Sequence, residues 1–192
     1  MNIQCPQTGT RRALLIIDVQ PATFDSVAAQ DVADTLRRYV EHASYAAYLV
    51  ASFCAPENSM FFRQLRWTLS AAAAGPTDAA ILHAVAARHK PTLHIEKTVR
   101  SIFKGEQGAL AKAFLDEHGI DEVHLAGLDI NDCVLATAYD ALDQGYFTYA
   151  IEECCGRTDA DRHVIDAALT VLRKQAMTNN STRHAAATVL LP

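Results

Sequence analysis

Residues 123–133 read Val123-His124-Leu125-Ala126-Gly127-Leu128-Asp129-Ile130-Asn131-Asp132-Cys133. The stretch starts as an apolar run, which is typical of a buried strand, and passes through a glycine and a polar loop to a cysteine. A helical period follows it and stops at Gly145, a residue type that often ends helices. The apolar positions of that period are Val134, Leu135, Ala138 and Leu142. A strand, a loop with a nucleophilic side chain and a helix, in this order, predict an α/β fold with chemistry at the strand end.

The rest of the chain repeats this alternation. Continuous apolar runs predict five buried strands, and segments of helical period lie between them. Such an order predicts a mainly parallel central sheet covered by helices on both faces, a three-layer α/β/α domain. The 192 residues fit a single domain over 1–192, with residues 1–11 as an N-terminal extension. The strands are predicted at Ala13–Val19, Tyr48–Phe53, Thr92–Glu96, Glu122–Leu128 and Phe147–Ile151, and the other helices at Ala28–Ala47, Ala79–His89, Ala109–His118 and Arg162–Gln175.

The composition bears on whether the chain binds nucleic acid or a membrane and on the state of its cysteines. The net charge is −5 and the basic residues are scattered, so the chain lacks the basic patch that nucleic-acid binding needs. No apolar run approaches the roughly 20 residues of a membrane span. The five cysteines include no Cys-x-x-Cys pair, and residues 1–11 lack the apolar core of a signal peptide. We expect reduced thiols in a cytoplasmic protein, with neither nucleic acid nor membrane as a partner.

Three residues at predicted strand ends are candidates for catalysis, since ligands of parallel sheets bind there. Asp18 ends the first run, where partial burial raises a carboxyl pKa toward that of a general base; alternatively it is a loop cap. Lys97 ends the third run, where it can favour a thiolate; alternatively it is a solvated surface residue. Cys133 falls in the first helical turn behind Asn131 as N-cap, which lowers a thiol pKa; alternatively it is a buried structural cysteine.

Taken together, three ordered motifs resemble the isochorismatase-like cysteine hydrolase superfamily, which has a Rossmann-like fold. They are Asp-x-Gln at 18–20, Lys-x-x-x-Ser-x-Phe at 97–103, and Gly-Leu-x-x-x-x-Cys-Val-x-x-Thr-Ala at 127–138. The resemblance extends from about Arg12 to about Leu172. The superfamily includes nicotinamidases, N-carbamoylsarcosine amidases, ureido-type amidohydrolases and isochorismatases.

The resemblance implies roles for these residues. Cys133 attacks a carbonyl carbon, Asp18 takes the thiol proton and passes it to the leaving group, and Lys97 supports the anionic states. A cis peptide at Leu128–Asp129 is implied, which aims the backbone N–H of Asp129, with that of Cys133, at the oxyanion. A thioester intermediate would then be hydrolysed by water.

The resemblance also suggests substrate-binding positions. Gln20 belongs to the first motif, and Phe24 follows it where the family often has an aromatic lining residue, although Phe24 is equally well explained as a core residue. Trp67 is a weaker candidate from the variable stretch Pro56–Asp78. Ile130 stands near the expected pocket floor, where relatives commonly have Thr.

Two departures from the family concern charge and metal. Asp129, with Asp132 close to it, predicts a carboxylate-rich rim that disfavours anionic substrates. The nicotinamidase branch has an Asp-x-His zinc pair after the second strand, whereas residues 52–57 here read Ser-Phe-Cys-Ala-Pro-Glu. We therefore predict no metal and no other cofactor.

The sequence leaves three functions open. The first is a metal-independent cysteine hydrolase that cleaves the C–N bond of a small amide, imide or ureido compound. The second is an isochorismatase-type vinyl-ether hydrolase with Asp18 as general acid, and the third is a catalytically silent interaction module. The apolar stretch Met60–Ala74 predicts a homodimer or larger homo-oligomer, because it offers more apolar surface than a loop should expose.

Overall fold

A five-stranded parallel sheet forms the centre of the protein. The computed structural model describes residues 9–66 and 70–180. Within them the strands lie in the order β3-β2-β1-β4-β5, and each neighbouring pair is parallel. The predicted parallel α/β sheet is confirmed. The strands are β1 (Arg12–Ile17), β2 (Ala47–Phe53), β3 (Thr92–Lys97), β4 (Glu122–Gly127) and β5 (Phe147–Cys155).

Helices connect the strands, and several of them begin at polar caps. Ser26 accepts a hydrogen bond from the N–H of Ala29 at the start of α1, and Asp78 and Asp161 cap α4 and α7 in the same way. Gly145, with φ of 95°, follows α6 as predicted. The helices are α1 (Val27–His42), α2 (Met60–Leu65), α3 (Ala71–Ala74), α4 (Ala79–Ala86), α5 (Gly108–Glu117), α6 (Leu135–Asp143) and α7 (Arg162–Lys174).

The first helix is shorter than its periodicity predicted. It ends at His42, not at Ala47. Ala43 is already extended, and the N–H of Ala46 donates to the carbonyl of Arg12 in β1 at 2.8 Å. The chain leaves the helix early because backbone pairing with the sheet competes for these residues.

The core consists of two apolar clusters, one on each face of the sheet. Leu14 and Ile16 of β1 point to the face covered by α1 and α4, and Leu15 and Ile17 point to the face covered by α5, α6 and α7. Alternate residues of one strand therefore enter different clusters, as the pleat of a strand requires. Because β1 is buried from Ala13 to Ile17, helices must cover both faces of the sheet, which gives the three layers. None of the helices in the described segments has both the length and the apolar character to cross a bilayer.

The strand order reverses between β1 and β4, and the two strands come very close there. A Cβ atom placed on Gly127 would lie 2.0 Å from the carbonyl oxygen of Ile17, and Gly127 has φ of 131°. Only a residue without a side chain permits this approach. In open parallel sheets, ligands bind in the crevice beyond the strand ends at such a reversal.

Candidate active site

Side chains from three strand ends meet at this reversal point. Asp18 directly follows β1, Lys97 is the last residue of β3, and Cys133 lies in a π-helical turn after β4. Their exposed fractions are only 8%, 2% and 6%. The structure thus brings the three candidates together and removes them almost completely from solvent.

Asp18 has one engaged and one unengaged carboxylate oxygen. Its Oδ2 accepts a 2.6 Å hydrogen bond from Nζ of Lys97. Its Oδ1 is buried and lacks a hydrogen-bond partner of normal length among the described residues, although the Cys133 thiol interacts with the carboxylate. Burial raises the pKa of Asp18, and the Lys97 ammonium opposes part of that rise. Oδ1 is therefore placed to accept a proton.

Lys97 is a buried cation rather than a surface residue. Besides the bond to Asp18, its Nζ donates to the carbonyl of Val99 at 3.3 Å and lies 4.9 Å from the centre of the Phe53 ring. Burial lowers the pKa of Lys97, but its interactions with the Asp18 carboxylate and with Cys133 outweigh this effect and hold the pKa above its usual value. Lys97 therefore stays positively charged at neutral pH.

The Cys133 thiol is harder to ionise than its place at a helix start suggested. Burial, followed by the Asp18 carboxylate, raises the pKa of Cys133 well above its ordinary value, and Lys97 offsets only part of this. The expected lowering of the pKa is not found, because desolvation and like charge dominate. The sulfur keeps its proton until a base removes it.

The loop before Cys133 has the implied backbone geometry. The peptide bond between Leu128 and Asp129 is cis. The π-helical turn covers Ile130–Val134, and the N–H groups of Asp132 and Val134 both donate to the carbonyl of Asp129, at 3.0 and 3.2 Å. The wide turn positions Cys133 at the start of the helical segment that continues as α6.

The prediction that Asn131 caps this helix is wrong. The helical segment begins at Ile130 with Asp129 as the N-cap residue, and no side chain caps it. The Asn131 side-chain oxygen instead accepts a 2.6 Å hydrogen bond from Nη1 of Arg157. A charged donor from a distant loop replaces the local backbone N–H as its partner.

The two carboxylates beside the site are each paired with an arginine. Asp129 Oδ1 accepts from the N–H of Thr158 at 2.8 Å, and its Oδ2 lies 4.0 Å from Nη1 of Arg157. Burial raises the pKa of Asp129, although these partners oppose it. Asp132 Oδ1 forms an ion pair with Nε of Arg100. The Arg157 guanidinium is itself paired with Asp159 at 2.6 Å, so the effect of these carboxylates on anionic substrates stays a prediction.

Gln20 is fully engaged with the backbone. Its Nε2 donates to the carbonyls of Phe53, Ala74 and Gly75 at 3.1, 3.2 and 2.8 Å, and its Oε1 accepts from the N–H of Phe53 at 2.8 Å. Its two N–H donors are shared among three carbonyls, which leaves none for the predicted contact with substrate. Gln20 instead ties the end of β2 to the segment after α3.

The other predicted lining residues lie elsewhere or outside the described residues. Ile130 is completely buried in the core, and its contact with substrate stays a prediction. Phe24 is half-buried and packs against the cluster on the α1 and α4 face, in agreement with its alternative as a core residue. Trp67 lies outside the described residues.

Several residues around the site were not predicted from the sequence. The Phe61 ring of α2 packs edge-on against Phe53 at 5.2 Å, and the guanidinium of Arg100 lies 4.8 Å from the centre of the Phe61 ring. Arg100 stands inside the motif 97–103, so its position offered a signal. Arg157 lies 24 residues beyond Cys133 in a polar loop and offered none.

Two further kinds of site, metal-ligand clusters and surface grooves, bear on the function. Across residues 9–66 and 70–180, no three His, Cys, Asp or Glu side chains form a group that could hold a metal ion. Two surface grooves, one between α1 and α4 and one along α1, contain none of Asp18, Lys97 and Cys133.

Comparison with known proteins gives a family match over most of the chain. The family model described as Isochorismatase domain matches residues 12–184. A stretch of 49 residues is 39% identical to maleamate amidohydrolase of Pseudomonas putida. That stretch amounts to 26% of this chain and 23% of that enzyme's length.

Solved structures of low identity share the fold. An isochorismatase-like hydrolase from Alkaliphilus metalliredigens superposes with a TM-score of 0.68 at 18% identity, over 88% of this chain and 92% of that one. Nicotinamidase PncA from Bacillus subtilis gives 0.65 at 22% identity, over 85% and 95%. The YcaC gene product of Escherichia coli, an octameric hydrolase of unknown specificity, gives 0.64 at 11% identity, over 91% and 78%.

Proposed function

The chain belongs to the isochorismatase family, and from that membership we propose that it is a thiol-dependent hydrolase that cleaves the C–N bond of a small amide, imide or ureido compound. One observation carries the proposal. A buried carboxylate, bound to a buried ammonium through Oδ2, keeps Oδ1 without a normal hydrogen bond beside the Cys133 thiol. This arrangement matches what a nucleophile and its general base require.

In the first half of the reaction, Asp18 removes the thiol proton as sulfur attacks the carbonyl carbon. The raised pKa of Cys133 favours proton transfer during the attack rather than a thiolate formed beforehand. The new C–S bond pushes the carbonyl electron pair onto oxygen, and the backbone N–H groups of Asp129 and Cys133 would hold this oxyanion. Lys97 keeps the Asp18 carboxylate oriented and balances its charge.

In the second half, the Asp18 proton passes to the leaving nitrogen, and the C–N bond breaks as the carbonyl reforms. The products are an amine or ammonia and a thioester on Cys133. Water then attacks the thioester, gives its proton to Asp18 and releases a carboxylic acid, after which the proton returns to sulfur. Each step needs only the three side chains and two backbone donors, so no metal is required.

The short match to maleamate amidohydrolase supports an amide as the substrate class. That enzyme's name indicates hydrolysis of an amide that also bears a carboxylate. The ion pair of Asp132 with Arg100 reduces the negative charge beside the site, which is compatible with such a substrate.

A vinyl-ether hydrolase is the second candidate. Burial raises the pKa of Asp18, which favours a protonated carboxyl group that could act as a general acid. That chemistry protonates carbon and needs no thiol. The buried thiol beside Asp18 favours the first candidate, since it would otherwise have no chemical task.

Intact-mass spectrometry during turnover tests the proposed function. The protein would be mixed with a panel of small amides, maleamate among them, and quenched in acid at short times. We expect an adduct with the mass of the acyl group, located on Cys133 by tandem mass spectrometry, and one equivalent of amine or ammonia per turnover. The Cys133→Ala protein should give neither. A panel that yields no adduct and no amine would favour the vinyl-ether hydrolase or a silent family member.

A further inference from the structure

An ion pair stands immediately beside the nucleophile and is not used by the proposed reaction. Asp132 directly precedes Cys133 in the π-helical turn, and its Oδ1 binds Nε of Arg100. The Asp132 side chain is mostly buried, with an exposed fraction of 14%, whereas that of Arg100 is 42%. A mostly buried carboxylate next to a reacting sulfur must be compensated, or it opposes the formation of negative charge there.

Three charged groups act on the sulfur, and a fourth pairs with one of them. Asp18 comes from the end of β1, Lys97 from the end of β3, Asp132 from the turn itself, and Arg100 from the loop after β3. The negative charge of Asp132 raises the pKa of both Asp18 and Cys133, which disfavours their ionised forms. Without Arg100, two carboxylates and one ammonium would surround the sulfur.

We propose that Arg100 is a positioning residue for the nucleophile, which neutralises Asp132 and so removes an opposing negative charge from beside Cys133. The inference rests on the proposed function in that it gives Cys133 the role of nucleophile. It assigns no contact between Arg100 and the substrate. It explains how an aspartate can stand next to a nucleophilic cysteine in this chain.

The position of Arg100 is fixed from a second side. Its guanidinium lies 4.8 Å from the centre of the Phe61 ring, which itself packs edge-on against Phe53. Stacking on an aromatic face holds a planar guanidinium in place while it pairs with a carboxylate. Phe61 belongs to α2, so this short helix is linked to the nucleophile through Arg100.

Alkylation of Cys133 measured against pH tests the proposal without any substrate. Iodoacetamide rates would be measured from pH 6 to 10, with the modified cysteine located by tandem mass spectrometry. The variants are Arg100→Gln, Arg100→Lys and the double variant Arg100→Gln with Asp132→Asn. Lys104→Gln is the matched control, because Lys104 lies in the same loop and pairs with Asp140 at 3.4 Å instead.

We expect Arg100→Gln to shift the alkylation profile of Cys133 upward by about one pH unit, which is about a tenfold lower rate at a fixed pH below the pKa. Arg100→Lys keeps the charge and should shift it less. The double variant should return to the wild-type profile, and Lys104→Gln should not depart from it.

Three results would overturn the proposal. They are an unshifted profile in Arg100→Gln, a shift that Asp132→Asn fails to reverse, and a wild-type Cys133 that resists alkylation at every pH. Failure of the proposed function looks different, because the profiles could shift as expected while no amide is hydrolysed.

Discussion

The Nζ of Lys97 donates a 2.6 Å hydrogen bond to Oδ2 of Asp18, which joins two residues 79 positions apart in the sequence. The strands that carry them are not neighbours, since β2 lies between β1 and β3. The pair therefore bridges the end of the sheet over β2. Both side chains are buried, so each charge depends on the other for its compensation.

Replacing Lys97 with Met should destabilise the protein by about 3 kcal/mol, because it leaves the Asp18 carboxylate buried without a counter-charge. Adding Asp18→Asn to this variant should recover much of the loss. Urea unfolding at pH 7 measures both. Lys112→Met removes an exposed ion pair with Asp116 and should cost far less stability, because solvent screens that pair. Equal losses in the Lys97 and Lys112 variants would contradict the burial of the pair.

Cys133→Ala and Asp18→Asn should each lower kcat/KM for the best amide substrate by about a thousandfold or more, because one removes the nucleophile and the other its base. Cys54→Ser is the control, since Cys54 is a free, buried cysteine directly after β2 and takes no part in the proposed chemistry. Circular dichroism should show an unchanged fold in Cys133→Ala. Substantial activity in that variant would favour the vinyl-ether mechanism.

The pH dependence of kcat/KM should rise on the acid side and extend into the alkaline range. Asp18 must be ionised to accept the thiol proton, so activity increases as the pH rises through its pKa, which burial holds above 3.8. Lys97 must also stay charged. Asp18 and Cys133 together keep the pKa of Lys97 above 10.5, so deprotonation of Lys97 lowers activity only above this pH. An enzyme that uses Asp18 as an acid would show the opposite sign, with activity falling as the pH rises through the same pKa.

Removal of divalent metal should leave activity unchanged. The prediction follows from the residues after β2, which lack the zinc pair of the nicotinamidase branch, and from the three-residue mechanism. Activity would be measured after exhaustive dialysis against EDTA, alongside elemental analysis for zinc. If dialysis abolished turnover and added zinc restored it, the protein would hold zinc ligands other than the missing pair, and the prediction would be wrong.

The exposed apolar residues of α2 should contribute to a homo-oligomer interface. Met60 and Leu65 have exposed fractions of 59% and 40%, and Phe61 is only half-buried. The double variant Met60→Glu with Leu65→Glu should shift a dimer or larger assembly toward monomer in light scattering. Leu110→Glu on α5, with 55% exposure at the wild-type leucine, is the control and should leave the assembly intact. A wild-type monomer at micromolar concentration would contradict the prediction.

The strands and the candidate site residues could be predicted because their signals are local. The run Leu14–Ile17 is continuously apolar, as a strand buried on both faces requires, and Asp18 follows it directly. Lys97 is the last residue of β3, and Cys133 follows β4 after a short loop. The end of β5 was missed because Glu152 and Glu153 interrupt its apolar pattern. Glu152 is nevertheless accommodated by an ion pair with Arg173 of α7.

The residues around the site were harder to predict, because their roles depend on partners distant in sequence. Gln20 is committed to backbone groups near residues 53 and 75, and Asn131 is bound by Arg157 rather than by its own helix. The pKa of Cys133 was expected to fall on the basis of its helical position alone. Burial outweighs that local effect, and burial is a property of the folded chain.

At Gly127 the main chains of β1 and β4 touch, with no room for a side chain between them. Asp18 leaves the sheet directly after Ile17, and the loop to Cys133 leaves it directly after Gly127. Because the two main chains leave no space between them, an added methyl at position 127 would force β1 and β4 apart. It would thereby move Asp18 relative to the loop that carries Cys133.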